Sequence, residues 1–188
     1  MTEGVSLIVG LGNPGARYQA TRHNAGFWFV EALAAQRGVT FKSVARYHGE
    51  VAELDGVWLI KPGTFMNRSG QAVAALAGFY KIPAARILVV HDELDLPPGT
   101  ARLKQGGGHG GHNGLRSLIA DVGSDFWRLR LGIGHPGHKD LVTDYVLGKP
   151  SQEDRLLIES AIVRAVEVMP AVMAGDPQGA MLKLHSGK

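Results

Sequence analysis

Cysteine is absent from the 188-residue chain. That excludes disulfides, thiolate metal sites and cysteine nucleophiles, and it fits a reducing, cytoplasmic setting. Long apolar runs are missing too: no stretch approaches the ~18 residues a spanning helix needs, so no membrane partner is expected. The opening MTEGVSLIVG has no basic segment followed by an extended apolar one, and no secretory leader is expected. Basic residues never gather into a run of about five, which excludes a polybasic arm. No internal repeat, low-complexity linker or shift in composition marks a boundary, so a single domain over 1–188 is expected. A chain of this length can bury a substantial core.

What is plentiful is glycine, at 26 residues. That is roughly twice the average share, and it points to a site built from loops and close backbone approaches. The formal net charge of +3 permits a nucleic-acid partner without demanding one.

Hydrophobic spacing predicts strands at 7–10, 46–54, 57–61, 87–90, 101–104 and 126–133. Asp55-Gly56 reads as the turn of a hairpin. Helices are predicted over 25–37, with Gly38 as the stop, and over 68–80, 115–122 and 178–184. Ser151-Gln-Glu-Asp154 resembles a capping box opening a helix to about Ala174, with a bend or break at Pro170. Interleaved strands and helices predict an α/β domain. Its twisted sheet would be mixed but mostly parallel, with helices on both faces.

Several motifs carry side chains suited to chemistry. Gly10-Leu-Gly-Asn-Pro-Gly15 has the glycine spacing of a dinucleotide turn. Pro14 and the stretch that follows delay the helix, so the context of that fingerprint fails. His23 sits between Arg22 and Asn24 just before a helix, where it is either a surface residue or a general base near neutral pH. Asp92 follows the apolar run Ile87–Val90. It is either a loop cap or the carboxylate that receives the Nδ1 proton of His23, because ligands of open α/β sheets bind beyond the carboxyl ends of strands.

In Lys61–Gly70, Asn67 or Ser69 could cap a helix, and Met66 could be core. Alternatively, Asn67 and Asn13 supply neutral donors for a peptide group or an oxyanion. The densest glycine stretch, Lys104 to Gly114, could cradle phosphate or form a mobile loop presenting Asn113. The pairs His91/Asp95, His109/His112 and His135/His138 lack a full metal ligand set, and no metal is expected. Lys104, Arg116, Arg128 and Arg130 are either solvated surface or a modest phosphate-binding patch.

Taken together these segments resemble the bacterial peptidyl-tRNA hydrolase family. The resemblance is carried by GLGNPGARYQATRHNAGF at 10–27, KPGTFMNRSG at 61–70 and HDELDLPPG at 91–99. It continues in RLKQGGGHGGHNGLRS at 102–117, RLRLGIGHPG at 128–137 and DYVLG at 144–148. These cover residues 7 to 148 in order, and the tail after Gly148 adds little. The resemblance implies a monomeric, cofactor-free esterase that cuts the bond between a peptide and the 3′ end of tRNA, rescuing tRNA from aborted translation. It implies His23 as the base that activates water and Asp92 as its orienting partner. Asn13, Asn67 and Asn113 would hold the peptide, the water and the oxyanion, with Tyr18 and Met66 lining the same cleft. Lys104 and Arg130 would clamp the tRNA 5′ phosphate.

Two rivals remain at this point. A non-catalytic RNA-binding protein on the same fold would keep Lys104 and Arg130 and could dispense with His23 and Asp92. A nucleotide-binding oxidoreductase would need the first glycine turn to open straight into a helix, with an acid about 20 residues on.

Overall fold

The computed structural model describes residues 3–186. In chain order the elements are β1 (Leu7–Gly10), α1 (Ala25–Arg37), β2 (Lys42–Val44), β3 (Gly49–Leu54), β4 (Val57–Pro62), α2 (Ser69–Tyr80), β5 (Ile87–Glu93), β6 (Ala101–Gln105) and α3 (Asn113–Val122). They continue with β7 (Trp127–Gly132), α4 (Val142–Val146), α5 (Gln152–Met173) and α6 (Pro177–Ser186). Among the described residues the strands form one sheet in the order β2-β3-β4-β1-β5-β7-β6. The four central strands β4-β1-β5-β7 are parallel, and the outer pairings β2-β3, β3-β4 and β6-β7 are antiparallel.

A parallel centre has to be covered on both faces, and the alternation of side chains shows how. Leu7 and Val9 of β1 and Ile87 and Val89 of β5 enter one core with Leu76 of α2, Leu118 of α3 and Phe126. Ile8, Leu88 and Val90 enter the other, with Phe29 and Leu33 of α1, Met169 of α5 and Leu184 of α6. Helix α6 also covers part of the edge strand, where the Leu103 N–H donates to His185 Nε2 at 3.0 Å.

The hairpin turn at Asp55-Gly56 forms with φ of 50° and 84°, as a primed two-residue turn requires. Its first strand begins at Gly49 rather than Arg46. Ala45–Tyr47 is a single 3-10 turn, and His48 is left-handed at φ 54°, which breaks the extended run. The short strand β2 and helix α4 carry too few residues to show a period. Helix α5 starts at Ser151, whose Oγ accepts from the Asp154 N–H at 3.1 Å. It runs through Pro170 to Met173 without the expected break. In this last turn the proline removes one helical hydrogen bond close to where the helix ends anyway.

Two glycines bring the site together. A Cβ on Gly26 would lie 2.4 Å from the Val90 carbonyl oxygen, and one on Gly10 would lie 2.4 Å from that of Gly26. The start of α1 therefore rests directly on the ends of β1 and β5. Of the motif's glycines, Gly10 serves this backbone contact and Gly12 leaves room for the Phe27 ring, so packing accounts for both.

Candidate active site

Strand β5 continues past its apolar run, so His91 and Asp92 belong to the strand and not to a loop beyond it. The close approach of α1 sets the short turn Arg22–Asn24 beside that strand end. His23 Nδ1 lies 2.8 Å from Asp92 Oδ2, and both side chains are buried. A carboxylate only accepts, so Nδ1 carries the proton and the neutral ring keeps its lone pair on Nε2. Burial disfavours a charged His23. The charge of Asp92 and the hydrogen bond to it outweigh that cost and raise its pKa above the ordinary histidine value.

The second oxygen of Asp92 is taken by a residue that the sequence marked only as half of a metal pair. His112 Nε2 lies 2.8 Å from Asp92 Oδ1. Its Nδ1 accepts from the Gly114 and Leu115 amides at 3.1 and 3.3 Å, capping α3. An Nδ1 that accepts two amides carries no proton, so the Nε2 proton faces Asp92. Burial alone would push the Asp92 carboxyl up. The positive charge that His23 and His112 carry whenever they are protonated, and their two hydrogen bonds, reverse this and hold it far below the usual carboxylate range. His91 differs. Burial, then the neighbouring His112, push its pKa down to about 4, and its Nδ1–H donates to the Asp92 carbonyl at 2.8 Å. Its Nε2 is buried with no partner.

The asparagines are set by their neighbours. Asn13 Oδ1 accepts the Met66 N–H at 2.7 Å, which leaves its Nδ2 as a free donor. Asn24 holds the Asn13 backbone at both ends, accepting from its N–H and donating to its carbonyl, each at 2.9 Å. Asn113 Oδ1 accepts from Arg116 at 3.1 Å, so its Nδ2 is also the end left over. A guanidinium and a backbone N–H can only donate, and this fixes both amide orientations. Neither Asn67 nor Ser69 caps α2; Asn67 is exposed in a 3-10 turn, and the Ser69 hydroxyl donates to the Met66 carbonyl at 2.8 Å. Met66 is buried and lines the site.

These groups surround a cavity of about 880 Å³. Asn13, His23, Met66, Asn67, Asp92, Asn113, Lys104 and Arg130 all line it. Tyr18 is not among the lining residues. Its ring packs edge-on against Phe65, which is, with centroids 6.2 Å apart. Of the basic residues, Lys104 makes no ion pair or side-chain hydrogen bond among the described residues. Arg130 Nε donates to Glu93 at 3.0 Å, leaving its terminal nitrogens unpaired. Arg128 is buried and donates to the carbonyls of Gly107 and Gly108, so it anchors the glycine loop and does not join a surface patch. Arg22 ties the His23 turn to α4, donating to the Tyr145 carbonyl at 2.8 Å. That contact gives the DYVLG stretch its place.

His109 stands outside any group of described side chains that converge on a possible metal position, and its Nδ1 accepts the Gly111 N–H at 2.9 Å. Among the described residues one set could hold a metal ion, namely His23, Asp92 and His112, with ligand atoms within 4.8 Å of one another. Both facing nitrogens are protonated donors to Asp92, and a metal would have to displace both hydrogen bonds. Chelators are therefore expected to leave activity unchanged. Activity lost in EDTA and restored by zinc would make this set a metal site.

A family model described as peptidyl-tRNA hydrolase matches residues 7–188. The chain belongs to the peptidyl-tRNA hydrolase family. The match extends through α5 and α6, so the tail carries more of the family pattern than its motifs indicated. A peptidyl-tRNA hydrolase of Coxiella burnetii is 58% identical over 187 residues, covering 99% of this chain and 100% of that protein. One from Neisseria meningitidis is 54% identical over 191 residues, with 99% and 100% covered. A crystal structure of the Acinetobacter baumannii peptidyl-tRNA hydrolase superposes with a TM-score of 0.96 at 48% identity, covering 100% of this chain and 98% of that one. This protein is thus an ester hydrolase whose substrate is peptidyl-tRNA. No helix among the described residues is long and apolar enough to cross a membrane.

Proposed function

We propose that residues 1–188 act as one monomeric, cofactor-free catalytic domain that recycles tRNA by activating water on His23. The observation that carries this is the His23–Asp92 contact at 2.8 Å in the wall of the cavity. His23 Nε2 takes a proton from water as the water oxygen bonds to the ester carbonyl carbon, and the intermediate then expels the tRNA 3′ oxygen, which takes that proton back from His23. Asp92 holds the Nδ1 proton, fixes the tautomer and stabilises the imidazolium that forms. His112 holds the other oxygen of Asp92 and keeps that carboxylate oriented. The free amide donors of Asn13 and Asn113, with Asn67, bind the peptide and the developing oxyanion. Where one such donor has been removed elsewhere, the loss was roughly 2.7–4 kcal/mol. An ester is reactive enough for water and neutral donors to suffice.

The test is N-acetyl-aminoacyl-tRNA and free-amino aminoacyl-tRNA side by side. Cleavage of the first alone is expected, because neutral amides lining the cleft suit a peptide group and not an ammonium. Equal cleavage of both would contradict the peptide-binding role of the asparagines.

Lys104 and Arg130 contact the acceptor end of the tRNA and its 5′ phosphate. Replacing either with alanine should raise KM for peptidyl-tRNA while kcat falls much less. An acyl-aminoacyl ester of a 3′-terminal nucleotide fragment lacks that phosphate and should be nearly indifferent to both changes. Two or three phosphate contacts predict a log–log salt slope of only about −2. If the fragment and the full tRNA suffer equally, the clamp assignment is wrong.

A further inference from the structure

A second groove, of about 590 Å³, opens between α2 and α3. It shares Asn67 and Asn113 with the catalytic cavity, so the two adjoin at these side chains. Arg68 and Arg116 line it, together with the amide of Gln71 and the hydroxyl of Ser117. The Arg68 side chain makes no hydrogen bond or ion pair among the described residues. Arg116 is held by Asn113 Oδ1 at 3.1 Å and faces no carboxylate partner. Asp121 also lines the groove but pairs with neither arginine, so the balance of charge is one positive.

The order of the sheet says what would lie there. Asn67 and Arg68 follow β4, His23 follows β1, Asp92 is the penultimate residue of β5, Arg130 is on β7 and Lys104 on β6. The catalytic pair is therefore flanked by cations on both sides. If tRNA approaches over Lys104 and Arg130, its ester meets His23, and the peptide leaves toward Arg68 and Arg116. Arg116 is in contact with Asn113, so this groove begins one residue from the amide that would hold the esterified amino acid. A further residue advances an extended chain by about 3.3–3.6 Å.

We propose that the α2–α3 groove is a subsite for the nascent peptide and favours an acidic side chain at the second residue from the ester. This rests on the ester lying at His23, as argued above. Guanidinium groups with amides between them match a carboxylate and an extended backbone. The pairs formed would be exposed, which limits the preference to roughly 1.5- to 5-fold and makes it fade with salt.

The experiment compares N-acetyl-Glu-Phe-tRNA, N-acetyl-Gln-Phe-tRNA and N-acetyl-Phe-tRNA on the wild type, Arg68→Gln and Arg68→Lys. The wild type is expected to have a lower KM for the Glu substrate than for the Gln substrate, with similar kcat. Arg68→Gln should erase or sharply reduce that difference, and Arg68→Lys should keep part of it. N-acetyl-Phe-tRNA, which has no second residue, should be cleaved alike by all three. Equal KM for Glu and Gln substrates in the wild type would overturn the proposal, as would a preference that survives intact in Arg68→Gln. Equal weakening of N-acetyl-Phe-tRNA by Arg68→Gln would assign the groove to the tRNA strand instead. A wild type that cleaves none of the three would overturn the role of His23 and this subsite together.

Discussion

His23→Ala is expected to lower kcat for peptidyl-tRNA by about 10²–10⁴-fold, the usual cost of losing a general base. No other imidazole can take over. Both nitrogens of His112 are occupied, one by Asp92 and one by the amides that open α3. His91 also lines the cavity, but its Nε2 is buried and its pKa is pushed down to about 4, first by burial and then by His112, so it is too weak a base to replace His23. The variant should stay folded, because Asp92 keeps its hydrogen bond to His112. A thermal melt and a tRNA-binding titration on the same sample separate chemistry from folding. A folded variant retaining half the wild-type rate would remove His23 from the mechanism.

Asp92→Asn should cost as much or more, for a reason specific to this arrangement. The new side chain offers one oxygen and one NH₂ where two oxygens stood. The His112 tautomer is fixed by the amides at its Nδ1, so its Nε2 proton must face the oxygen. The NH₂ group is then left facing His23 Nδ1, which has to accept. The proton of His23 moves to Nε2, the atom that should take one from water. The same exchange in a serine-protease triad, which likewise forces the wrong tautomer, costs about 10⁴ in kcat. A similar loss of kcat with little change in tRNA affinity is expected here. His112→Ala combined with Asp92→Asn frees the amide to turn over and should recover part of the activity. If the double variant is as inactive as Asp92→Asn, the tautomer argument fails.

Much of the fold was legible because its period is strong. The apolar runs of β1 and β5, the α1 spacing with its Gly38 stop, and the Asp55-Gly56 turn all follow from local pattern. Elements of three and five residues, β2 and α4, are too short to repeat a pattern and left no such signal. The reach of β5 was underestimated because His91 and Asp92 are polar, and a strand was expected to end where its apolar run ends. Asn13, Asn67 and Asn113 stand out beside glycine-rich turns, Asp92 after an apolar run and His23 just before a helix, while the roles of all five come from the family resemblance. What the sequence could not show is which partners consume which atoms. His112 was visible only as a spacing to His109, and its bond to Asp92 depends on the glycine loop folding back across 20 residues. Arg128 had the same alternation as Arg130, yet the Arg128 guanidinium is taken up by carbonyls of that loop while Arg130 keeps its terminal nitrogens unpaired. The pairing of Arg130 with Glu93 and the hold of Asn24 on Asn13 likewise depend on contacts across the fold.

The central claim is that a neutral His23, its pKa raised by Asp92, is the base. The most direct test is the pH dependence of kcat/KM in the wild type. Only the neutral ring can take a proton, so the rate should fall about tenfold per pH unit on the acid side of the His23 pKa. Because Asp92 favours the charged ring, that acid limb should have its midpoint above the ordinary histidine value of 6.5, and activity should still be rising as pH passes through neutrality. A rate that is flat between about pH 5.5 and 8, the range in which a histidine base must show itself, would contradict the account.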